Sequence, residues 1–302
     1  MDSFSGRKLM KRILVTGSEG FIGKRLCRRL SKMNHYYTLF TLDRIGTGVN
    51  HSVVDITSKS LESEIIRVSP DIIIHLAGNV SVKFSVENPL ADFQANALGT
   101  LAVVSSALKT SCSNFLYLTS GGAIYNSSER FPFTEDSPTK PMSPYGLSKL
   151  IGEQYLGLLA TEGLKWTSLA VSNCYGSVYE QKQGVIYSMW RDLMDGISPR
   201  IYGANVSRDF IYIEDVIDII VMACEKPSNR RLNVSSGTNI TLTQLLEKIQ
   251  MIMNTNIQPI IFPISSGDVP TSSLDNSNAR KFLGWVPKTN LDQGLRLSLT
   301  HN

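Results

Sequence analysis

The first two-thirds of the chain alternates short runs of β-branched and aliphatic residues with longer segments of helical periodicity. The strand-like runs are KRILVTG, YTLFTLD, DIIIHLAG, NFLYLTS and KWTSLAVSN, and helical periodicity covers residues 21–33, 58–67, 88–109 and 143–162. Strands that alternate with helices are typical of βαβ crossovers, which build a parallel sheet with helices on both faces. The pattern therefore predicts an α/β fold with a doubly wound parallel sheet, whose central strands are the apolar runs at 71–77 and 114–119.

A glycine-rich loop follows the first strand and leads directly into the first helix. In TGSEGFIG the glycines are Gly17, Gly20 and Gly23, with Phe21 and Ile22 between the last two. Small residues let the backbone turn tightly and approach a pyrophosphate, and the helix N-terminus offers free N–H groups and the positive end of a dipole. Strand, loop and helix in this order predict a Rossmann-type dinucleotide site to which all five residues contribute.

Acidic residues after the next strands predict the adenosine end of this site. Asp43 ends the second strand, twenty residues beyond Gly23, where a carboxylate accepts hydrogen bonds from a ribose. This favours NAD, although Arg44 beside it leaves NADP possible. Asp55, followed by Ile56, is a candidate contact to the adenine amino group, and a helix cap before ITSKS is an equally good interpretation of Asp55.

The regular alternation ends after Asn173. Helices are predicted at 184–195 and 241–253, strands near 199–202 and in IQPIIFP, and a strand followed by a helix in RDFIYIEDVIDIIVMACEK. We therefore expect an NAD(P)-binding Rossmann domain over residues 10–173, with returns to it around 206–235. Residues 174–302 are expected to form mainly a substrate-binding lobe.

Tyr145 and Lys149 stand four apart in SPYGLSKLIGE, near the start of a predicted helix. Residues at this spacing share one helix face. A lysine held close to a phenol favours the phenolate and lowers its pKa from about 10 toward neutral, which allows proton transfer at physiological pH. A chance pair on a surface helix is the alternative, and the glycine loop argues against it.

Composition excludes several other classes of protein. The 302 residues are 42% hydrophobic and 19% charged, and the net charge of +4 is modest. KRLCRRL, the densest basic segment, falls in an amphipathic helix and is interpreted as a solvated face, so no nucleic-acid partner is expected. The four cysteines show no metal-ligand spacing, which predicts reduced thiols in a cytoplasmic protein without a metal site.

The N-terminal residues and the hydropathy pattern give no sign of a membrane. MDSFSGRKLM has no apolar core of signal-peptide type, and no apolar run is long enough to span a bilayer. Residues 1–9 are expected to be a short disordered extension, because Met10 stands directly before the first strand.

Six motifs occur in one order along the chain: TGSEGFIG, HLAGNVSVKFSVENP, NALGT, LTSGGAIY, YGLSK and RDFIYIEDV. Together they resemble the extended short-chain dehydrogenase/reductase family, and within it the nucleotide-sugar epimerases of the UDP-glucose 4-epimerase type. The resemblance extends from about residue 11 to the tail FLGWVPKTNLDQGL. The combination is more specific than any single motif.

This resemblance implies roles for several residues. Tyr145 would be the catalytic acid and base, and Lys149 would both lower its pKa and bind the nicotinamide ribose. Asn96, in NALGT, is similar to the residue that shapes the helix near the cofactor. The end of the strand beside the cofactor is formed by Leu76, Ala77 and Gly78.

The resemblance also implies two substrate contacts. Asn173, in SNCYG, is similar to the family's sugar-nucleotide contact. Arg208 is similar to its diphosphate clamp, a role that suits a planar and permanently charged guanidinium. The alternative for Arg208 is a structural ion pair with Asp209 or Asp215.

The chain departs from the family at the hydroxyl that contacts the reacting oxygen. The usual Ser or Thr position falls on Gly121. Ser120 is the best remaining hydroxyl, with Thr119 behind it, and we count Ser120 as catalytic and both Ser120 and Gly121 as substrate contacts. A dehydratase would need an acidic pair where Gly122 and Ala123 stand, so dehydration is set aside.

Two family arginines are also replaced. One falls on Ala170 and the other on Ser265. Fewer cations around a diphosphate weaken or reshape nucleotide recognition. The identity of the nucleotide therefore stays open.

The resemblance implies an NAD-dependent nucleotide-sugar 4-epimerase that acts through a transient 4-keto intermediate, with a UDP-hexose as the expected substrate. The alternative is an NAD(P)H-dependent 4-ketoreductase of a nucleotide-linked 4-keto-6-deoxysugar, with Tyr145 as proton donor. A non-catalytic dinucleotide sensor is a third interpretation, but a sensor has no need of the Tyr145–Lys149 pair.

The resemblance extends to the sugar pocket and to assembly. SVYEQKQGVIYSMW would close over the sugar, and Tyr175, Tyr179 and Tyr187 either line it or belong to ordinary packing. A homodimer is expected through helices 88–109 and 143–162. Synthesis of cell-surface polysaccharides is the natural setting of such enzymes.

Overall fold

The structure is a computed structural model, and it describes residues 10–125, 131–160, 163–264 and 269–300. The expectation for residues 1–9, the last two residues of the predicted helix 143–162 and the interpretation of Ser265 lie outside the described residues.

The strands are β1 Lys11–Thr16, β2 Tyr37–Asp43, β3 His51–Val53, β4 Ile72–His75, β5 Asn114–Ser120, β6 Lys165–Val171, β7 Asn173–Tyr175, β8 Arg200–Tyr202, β9 Ser207–Tyr212, β10 Arg230–Val234, β11 Asn239–Thr241, β12 Ile260–Phe262 and β13 Thr271–Ser272. The helices are α1 Phe21–Ser31, α2 Leu61–Val68, α3 Val82–Glu87, α4 Pro89–Phe93, α5 Gly99–Ala107, α6 Pro144–Leu159, α7 Val185–Met194, α8 Ile213–Glu225, α9 Leu242–Met253, α10 Ser277–Leu283 and α11 Leu291–Leu299. A π-helical turn, Gln94–Leu98, joins α4 to α5.

Seven parallel strands form the main sheet, in the order β10-β6-β5-β4-β1-β2-β3. The predicted α/β class with a doubly wound parallel sheet is confirmed. The chain builds outward from β1 in one direction and then returns to build in the other, so β1 pairs with both β2 and β4. Ligands of such sheets bind beyond the carboxyl ends of the strands at this switch point.

The apolar runs form the central strands, as predicted. All four residues of β4 are buried, and in β5 only the last residue is partly exposed. Ile74 pairs with Val15 on one side and with Leu116 on the other. Strands covered on both faces by helices need apolar side chains on both faces, which explains their uninterrupted hydrophobicity.

The long helix predicted over 88–109 is interrupted. Asn88 has non-helical dihedrals (φ −136°, ψ 62°), and Pro89 starts α4 after it. The π-helical turn then shifts the hydrogen-bond register before α5. Hydrophobic periodicity does not report such a shift, and π-helical turns occur frequently at functional sites.

The C-terminal half adds a second, smaller sheet. Its strands are β7, β11 and β13, each paired with β9. Within residues 206–235, β9 belongs to this small sheet, whereas β10 pairs with β6 at the edge of the main sheet. Several short elements had no prediction, because segments of this length carry too little periodicity; they are the strands β3, β7, β10, β11 and β13 and the helices α3, α10 and α11.

The basic face of α1 takes part in ion pairs. Arg25 and Arg29 both contact Glu214 on α8, and Arg28 contacts Glu180 at 2.6 Å. The interpretation of this face as merely solvated was therefore incomplete. These pairs connect α1 to elements of the C-terminal half.

Within the described ranges, no helix combines the length and apolar character that a membrane crossing requires. The same residues contain no group of three or more His, Cys, Asp or Glu side chains that could hold a metal ion. All four cysteines are free thiols.

Candidate active site

The glycine loop between β1 and α1 lies against the end of β4. Gly17 has φ +74°, and a Cβ there would lie 2.5 Å from the backbone nitrogen of Ala77. A Cβ at Gly23 would overlap the carbonyl oxygen of Gly17. Both positions therefore need glycine, the first for its conformation and both for the close approach of backbone to backbone.

The N-terminus of α1 faces out of this loop. Gly20 stands directly before the helix, no side chain caps its first turn, and the turn contains no acidic residue. Phe21 and Ile22 are its first two residues, so their backbone N–H groups are among those that have no carbonyl partner inside the helix. This is the local arrangement that binds phosphate groups.

Asp43 lies beside the loop at the end of β2. Its Oδ2 accepts a hydrogen bond from Glu19 N at 2.9 Å, and its Oδ1 accepts one from Arg44 N at 2.7 Å. A carboxylate offers about four acceptor positions, so these two bonds leave capacity for a ribose. Arg44 is exposed next to it.

Asp55 makes local hydrogen bonds, whereas Ile56 is buried. Burial acts to raise the pKa of Asp55, but hydrogen bonds from Thr57 N (2.8 Å) and Thr57 Oγ1 (2.7 Å) lower it overall. Asp55 therefore stabilises a local turn, because α2 begins only at Leu61. The Ile56 side chain is buried, and its Cδ1 would lie 2.6 Å from a Cβ at Gly99.

Asn96, in the π-helical turn, contacts Gly78 and Asn79 in the loop that follows β4. Its Nδ2 donates to Asn79 O at 3.2 Å and to Asp92 Oδ1 at 2.9 Å. Its Oδ1 is buried without a partner, and a Cβ at Gly78 would overlap this oxygen. The arrangement leaves an unpaired acceptor beside the crevice at the switch point.

Tyr145 and Lys149 lie one turn apart in α6. Ser143 caps the helix by accepting a hydrogen bond from Gly146 N at 3.2 Å, and Pro144 occupies the first turn. The phenol of Tyr145 faces Ser120 at the end of β5. Burial raises the pKa of Tyr145 to about 12, and a hydrogen bond with Ser120 acts to lower it.

Burial is the largest influence on the pKa of Tyr145 in this structure, and the expected lowering of that pKa by Lys149 stays a prediction. The Lys149 ammonium lies 4.3 Å from the centre of the Tyr117 ring. Burial lowers the pKa of Lys149 to about 7, with the charges of Asp92 and Glu153 acting in the opposite direction. A lysine that is only partly protonated near pH 7 offers a phenolate less compensating charge than a fully protonated one.

The missing hydroxyl at position 121 has a steric explanation. A Cβ at Gly121 would overlap Leu274 Cδ1 and would lie 2.9 Å from the carbonyl oxygen of Ala170. Ser120 is the hydroxyl that contacts Tyr145. Thr119 Oγ1 is buried without a hydrogen-bond partner.

Asn173 lies in β7 and Arg208 lies in β9, and these two strands pair in the small sheet. Asn173 Nδ2 donates to Asp209 O at 3.1 Å and would lie 4.0 Å from a Cβ at Gly122. The buried Arg208 donates to Ser207 O at 2.9 Å. The carboxylate of Asp209 instead accepts hydrogen bonds from Ser172, Ser236 and Gly237, and that of Asp215 from Lys288 and Thr289.

The structure adds residues to the candidate site that no sequence motif indicated. Ser272, paired with Arg208 across β13 and β9, has a buried hydroxyl without a partner that lies 3.4 Å from the Cβ position of Gly122. Asp92 and Tyr117 lie around Lys149. No spacing rule connects these positions, because tertiary contacts place them.

The three tyrosines proposed to line the sugar pocket have different surroundings. Tyr175 is buried in the core, and a Cβ at Gly294 would overlap its hydroxyl. Tyr179 and Tyr187 pack on Trp190, with ring centroids at 5.4 Å and 5.8 Å. Ordinary packing is therefore the better interpretation of Tyr175.

The parallel sheet and the glycine loop define a dinucleotide-binding enzyme fold, and the Tyr145–Lys149 pair lies on α6 near the end of β5. Residues 13–235 match the NAD dependent epimerase/dehydratase family. The chain belongs to this family.

Relatives with assigned names cover nearly the whole chain. A putative UDP-glucose 4-epimerase of Methanocaldococcus jannaschii is 32% identical, over 94% of this chain and 96% of that protein. A dTDP-4-dehydro-6-deoxyglucose reductase of Escherichia coli is 29% identical, over 94% of this chain and 95% of that protein. The crystal structure of UDP-glucose 4-epimerase with UDP-glucose from Thermotoga maritima is 32% identical, has a TM-score of 0.89, and is matched over 95% of this chain and 97% of that chain.

Proposed function

We propose that the protein is an NAD-dependent nucleotide-sugar 4-epimerase that acts through a transient 4-keto intermediate, with a UDP-hexose as substrate. The observation that carries this proposal is the contact of the Tyr145 phenol with Ser120, one helical turn from Lys149, at the carboxyl edge of the main sheet. Family membership and the two named 4-epimerases support it.

The residues on both sides of the switch point fit a dinucleotide. Gly17 and Gly23 admit the close approach of a pyrophosphate, and the uncapped start of α1 offers N–H donors. Asp43 has acceptor capacity for the adenosine ribose, and the unpaired Asn96 Oδ1 would face the nicotinamide end. NAD supplies a reversible hydride acceptor when bound.

Tyr145 is proposed to remove the proton of the sugar 4-hydroxyl and to return it after the sugar has turned over. Ser120 hydrogen-bonds the same oxygen and shares the proton path with the phenol. A proton leaves the substrate readily only if the phenol is ionised, so a positive charge beside Tyr145 is required to lower its pKa from about 12. Lys149 supplies part of that charge whenever it is protonated.

The small sheet and the residues after it are proposed to bind the sugar nucleotide. Residues 174–302, apart from the return around 206–235, would form this lobe. Arg208 would bind the diphosphate and Asn173 the nucleotide sugar, with the Ser272 hydroxyl as an additional contact. Ala170 contributes no charge, so Arg208 carries more of the recognition than a paired set of arginines would.

A 4-ketoreductase of a nucleotide-linked 4-keto-6-deoxysugar is the second candidate. The reductase of Escherichia coli is nearly as similar to the chain as the 4-epimerases are. The exposed Arg44 next to Asp43 would also accommodate a cofactor with an additional phosphate. The two candidates differ in whether the cofactor is regenerated within one turnover.

Assembly as a cytoplasmic homodimer completes the proposal. The surface formed by α4, the π-helical turn, α5 and α6 exposes large apolar side chains, among them Leu90 (69%) and Leu147 (49%). Phe93 and Met142 line an adjoining groove of about 430 Å³. A second copy of this surface would bury these side chains. The helices of the two copies would then form a four-helix contact between the subunits.

The test begins with protein purified without added cofactor. Denaturation followed by mass spectrometry identifies the released dinucleotide, and NMR of a UDP-glucose incubation reports formation of the 4-epimer. Near-stoichiometric NAD and epimerisation without external cofactor are expected. An empty or NADP-containing site, together with NADPH consumption on a 4-keto-6-deoxysugar nucleotide, would replace the epimerase by the reductase. Epimerase or reductase activity that survives in Tyr145→Phe would remove Tyr145 from the mechanism of either enzyme.

A further inference from the structure

Asp92 is a buried carboxylate without a predicted role. It lies in α4, one turn before Asn96, with 0% of its surface exposed. Its Oδ2 accepts a hydrogen bond from Ser148 Oγ at 2.6 Å, and its Oδ1 accepts one from Asn96 Nδ2 at 2.9 Å. A carboxylate is costly to bury unless hydrogen bonds and charge compensate for lost solvation. Its position therefore calls for a functional or structural explanation.

Asp92 connects the two helical segments of the candidate active site. Ser148 directly precedes Lys149, and its hydroxyl also lies 3.0 Å from Tyr145 O in the first turn of α6. One hydroxyl thus ties Asp92 to the turn that presents Tyr145 and Lys149. A shift of this carboxylate would be transmitted to both side chains.

Asp92 also fixes the orientation of the Asn96 amide. Because Asp92 Oδ1 and Asn79 O both accept from Asn96 Nδ2, the amide nitrogen must face them. The Asn96 Oδ1 is thereby directed to Gly78, where it has no partner. A neutral amide in place of Asp92 would no longer enforce this orientation, because it could donate as well as accept.

The titratable groups around Lys149 come from several elements. Asp92 on α4 and Glu153 on α6 act to raise the pKa of Lys149. His75 on β4 is neutral, because burial lowers its pKa to about 3. The phenols of Tyr117 and Tyr145 are neutral as well, because burial raises the pKa of each.

The two carboxylates are not equivalent. Glu153 is bound by the guanidinium of Arg231, whose Nε donates to it at 2.8 Å, and by Ser168 Oγ at 2.7 Å. The donors of Asp92 are an amide and a hydroxyl, both neutral. Arg231 compensates most of the charge of Glu153, so Asp92 remains the main negative charge that acts on Lys149.

We propose that Asp92 is a positioning residue, which keeps the Lys149 ammonium charged in its desolvated position and holds the Asn96 amide oxygen toward the cofactor site. The inference rests on the proposed function, because only that function gives the charge of Lys149 a task. Asp92 acts through Lys149 and Asn96 and does not touch the reacting atoms.

The test is a titration of Lys149 in the protein as purified with its cofactor. Lysine labelled with ¹³C at Cε gives an NMR signal whose shift reports protonation, and Lys149→Arg identifies the signal. Asp92→Asn keeps the size of the side chain and removes its charge, so the Lys149 midpoint should fall by about one pH unit or more. Asp192→Asn, which alters a buried acid on α7, should leave the midpoint unchanged.

Turnover provides the second measurement. Lys149 is protonated below its pKa, so activity that needs the ammonium declines as the pH rises through that value. In Asp92→Asn this decline should begin at lower pH, and Asp92→Glu, which retains the charge, should restore part of the shift. A purely structural role would lower stability and leave both midpoints in place.

An unchanged Lys149 midpoint in folded Asp92→Asn overturns the proposed role, whatever the sugar assays show. If that variant does not fold, Asp92→Ser, which leaves room for a water between Asn96 and Ser148, is titrated instead, with the same expected fall. Absence of sugar turnover in the unaltered protein concerns the proposed function alone, because the NMR titration requires no substrate.

Discussion

The Leu274 side chain occupies the space that a side chain at Gly121 would need. A Cβ at Gly121 would overlap Leu274 Cδ1, and Leu274 is itself 1% exposed in a small apolar cluster with Ile124, Tyr125 and Phe133. Leu274 thus leaves no room for a side chain at position 121, directly after β5. Ser120, the last residue of β5, is the hydroxyl that contacts Tyr145.

Gly121→Ala should destabilise the protein by about 1–3 kcal/mol, the usual effect of overpacking a closed site. Gly122→Ala is the matched control, because its Cβ would meet nothing nearer than Ser272 Oγ at 3.4 Å. Urea unfolding measures both. The double variant Gly121→Ala with Leu274→Ala should lose less stability than the two single variants summed, and strict additivity would show that Leu274 is not the obstacle.

Tyr145→Phe should lower epimerisation by about 10²–10⁴-fold, the range for loss of a general acid–base group. The variant retains the ring, so protein stability and bound cofactor should change little. Tyr36→Phe is the control, since Tyr36 is 60% exposed before β2. Equal activity of the two variants in the NMR assay would remove Tyr145 from the mechanism.

Lys149 makes stability depend on pH in a defined window. Its pKa is lowered from 10.5 to about 7 by burial, so between these values the unfolded chain binds more protons than the folded chain. The cost of burying the ammonium is fully present below about pH 7 and is relieved as the pH rises. The free energy of unfolding should therefore rise by up to about 1.4 kcal/mol per pH unit in this window, relative to Lys149→Met. Urea titrations of both proteins at pH 7 and 9 measure the difference, and parallel curves would contradict it.

Local pattern sufficed for the main sheet and for much of the site. β4 and β5 are continuous apolar runs, and Gly17, Gly23 and the Tyr145–Lys149 pair follow from spacing alone. Each of these patterns is contained within one strand, one loop or one helical turn of the sequence. Such features can therefore be predicted from the local sequence.

Tertiary contacts decided what sequence reasoning missed. Asp92 accepts a hydrogen bond from Ser148, which is 56 positions away, and Leu274 meets Gly121 from the C-terminal part of the chain. Burial also raises the pKa of Tyr145, and the spacing between Tyr145 and Lys149 does not report that burial. Spacing rules contain no information about burial or about contacts between distant segments.

The Glu153–Arg231 ion pair should be important for stability. Both side chains are largely buried, with 7% and 13% exposed, and Ser168 completes the hydrogen bonds of Glu153. Glu153→Gln leaves the Arg231 guanidinium without its counter-charge and should lower the free energy of unfolding by about 3–5 kcal/mol. Glu62→Gln, in the exposed pair with Lys109, should change it by less than about 1 kcal/mol.

Calorimetric or urea unfolding of the two variants checks this difference. The double variant Glu153→Met with Arg231→Met removes both charges together and should be more stable than Glu153→Gln. Equal losses from the buried and the exposed pair would show that water reaches Glu153 and that its charge is screened.

Gly23→Ala should act on the cofactor site through the backbone of the loop. A Cβ at Gly23 would overlap the carbonyl oxygen of Gly17 and would lie 2.9 Å from the Ser18 Cα, so α1 must move away from the loop. A helix displaced in this way no longer directs its first N–H groups at the pyrophosphate, and the dinucleotide content of the purified protein should fall to a small fraction.

Gly157→Ala, in α6, is the comparison for Gly23→Ala, because its nearest contact, Trp166 Cζ2 at 3.5 Å, is an ordinary van der Waals contact away from the loop. Mass spectrometry of the released dinucleotide measures both variants. Full occupancy in folded Gly23→Ala would mean that the loop can open without loss of binding, and that the close packing of helix on loop serves the fold rather than the cofactor.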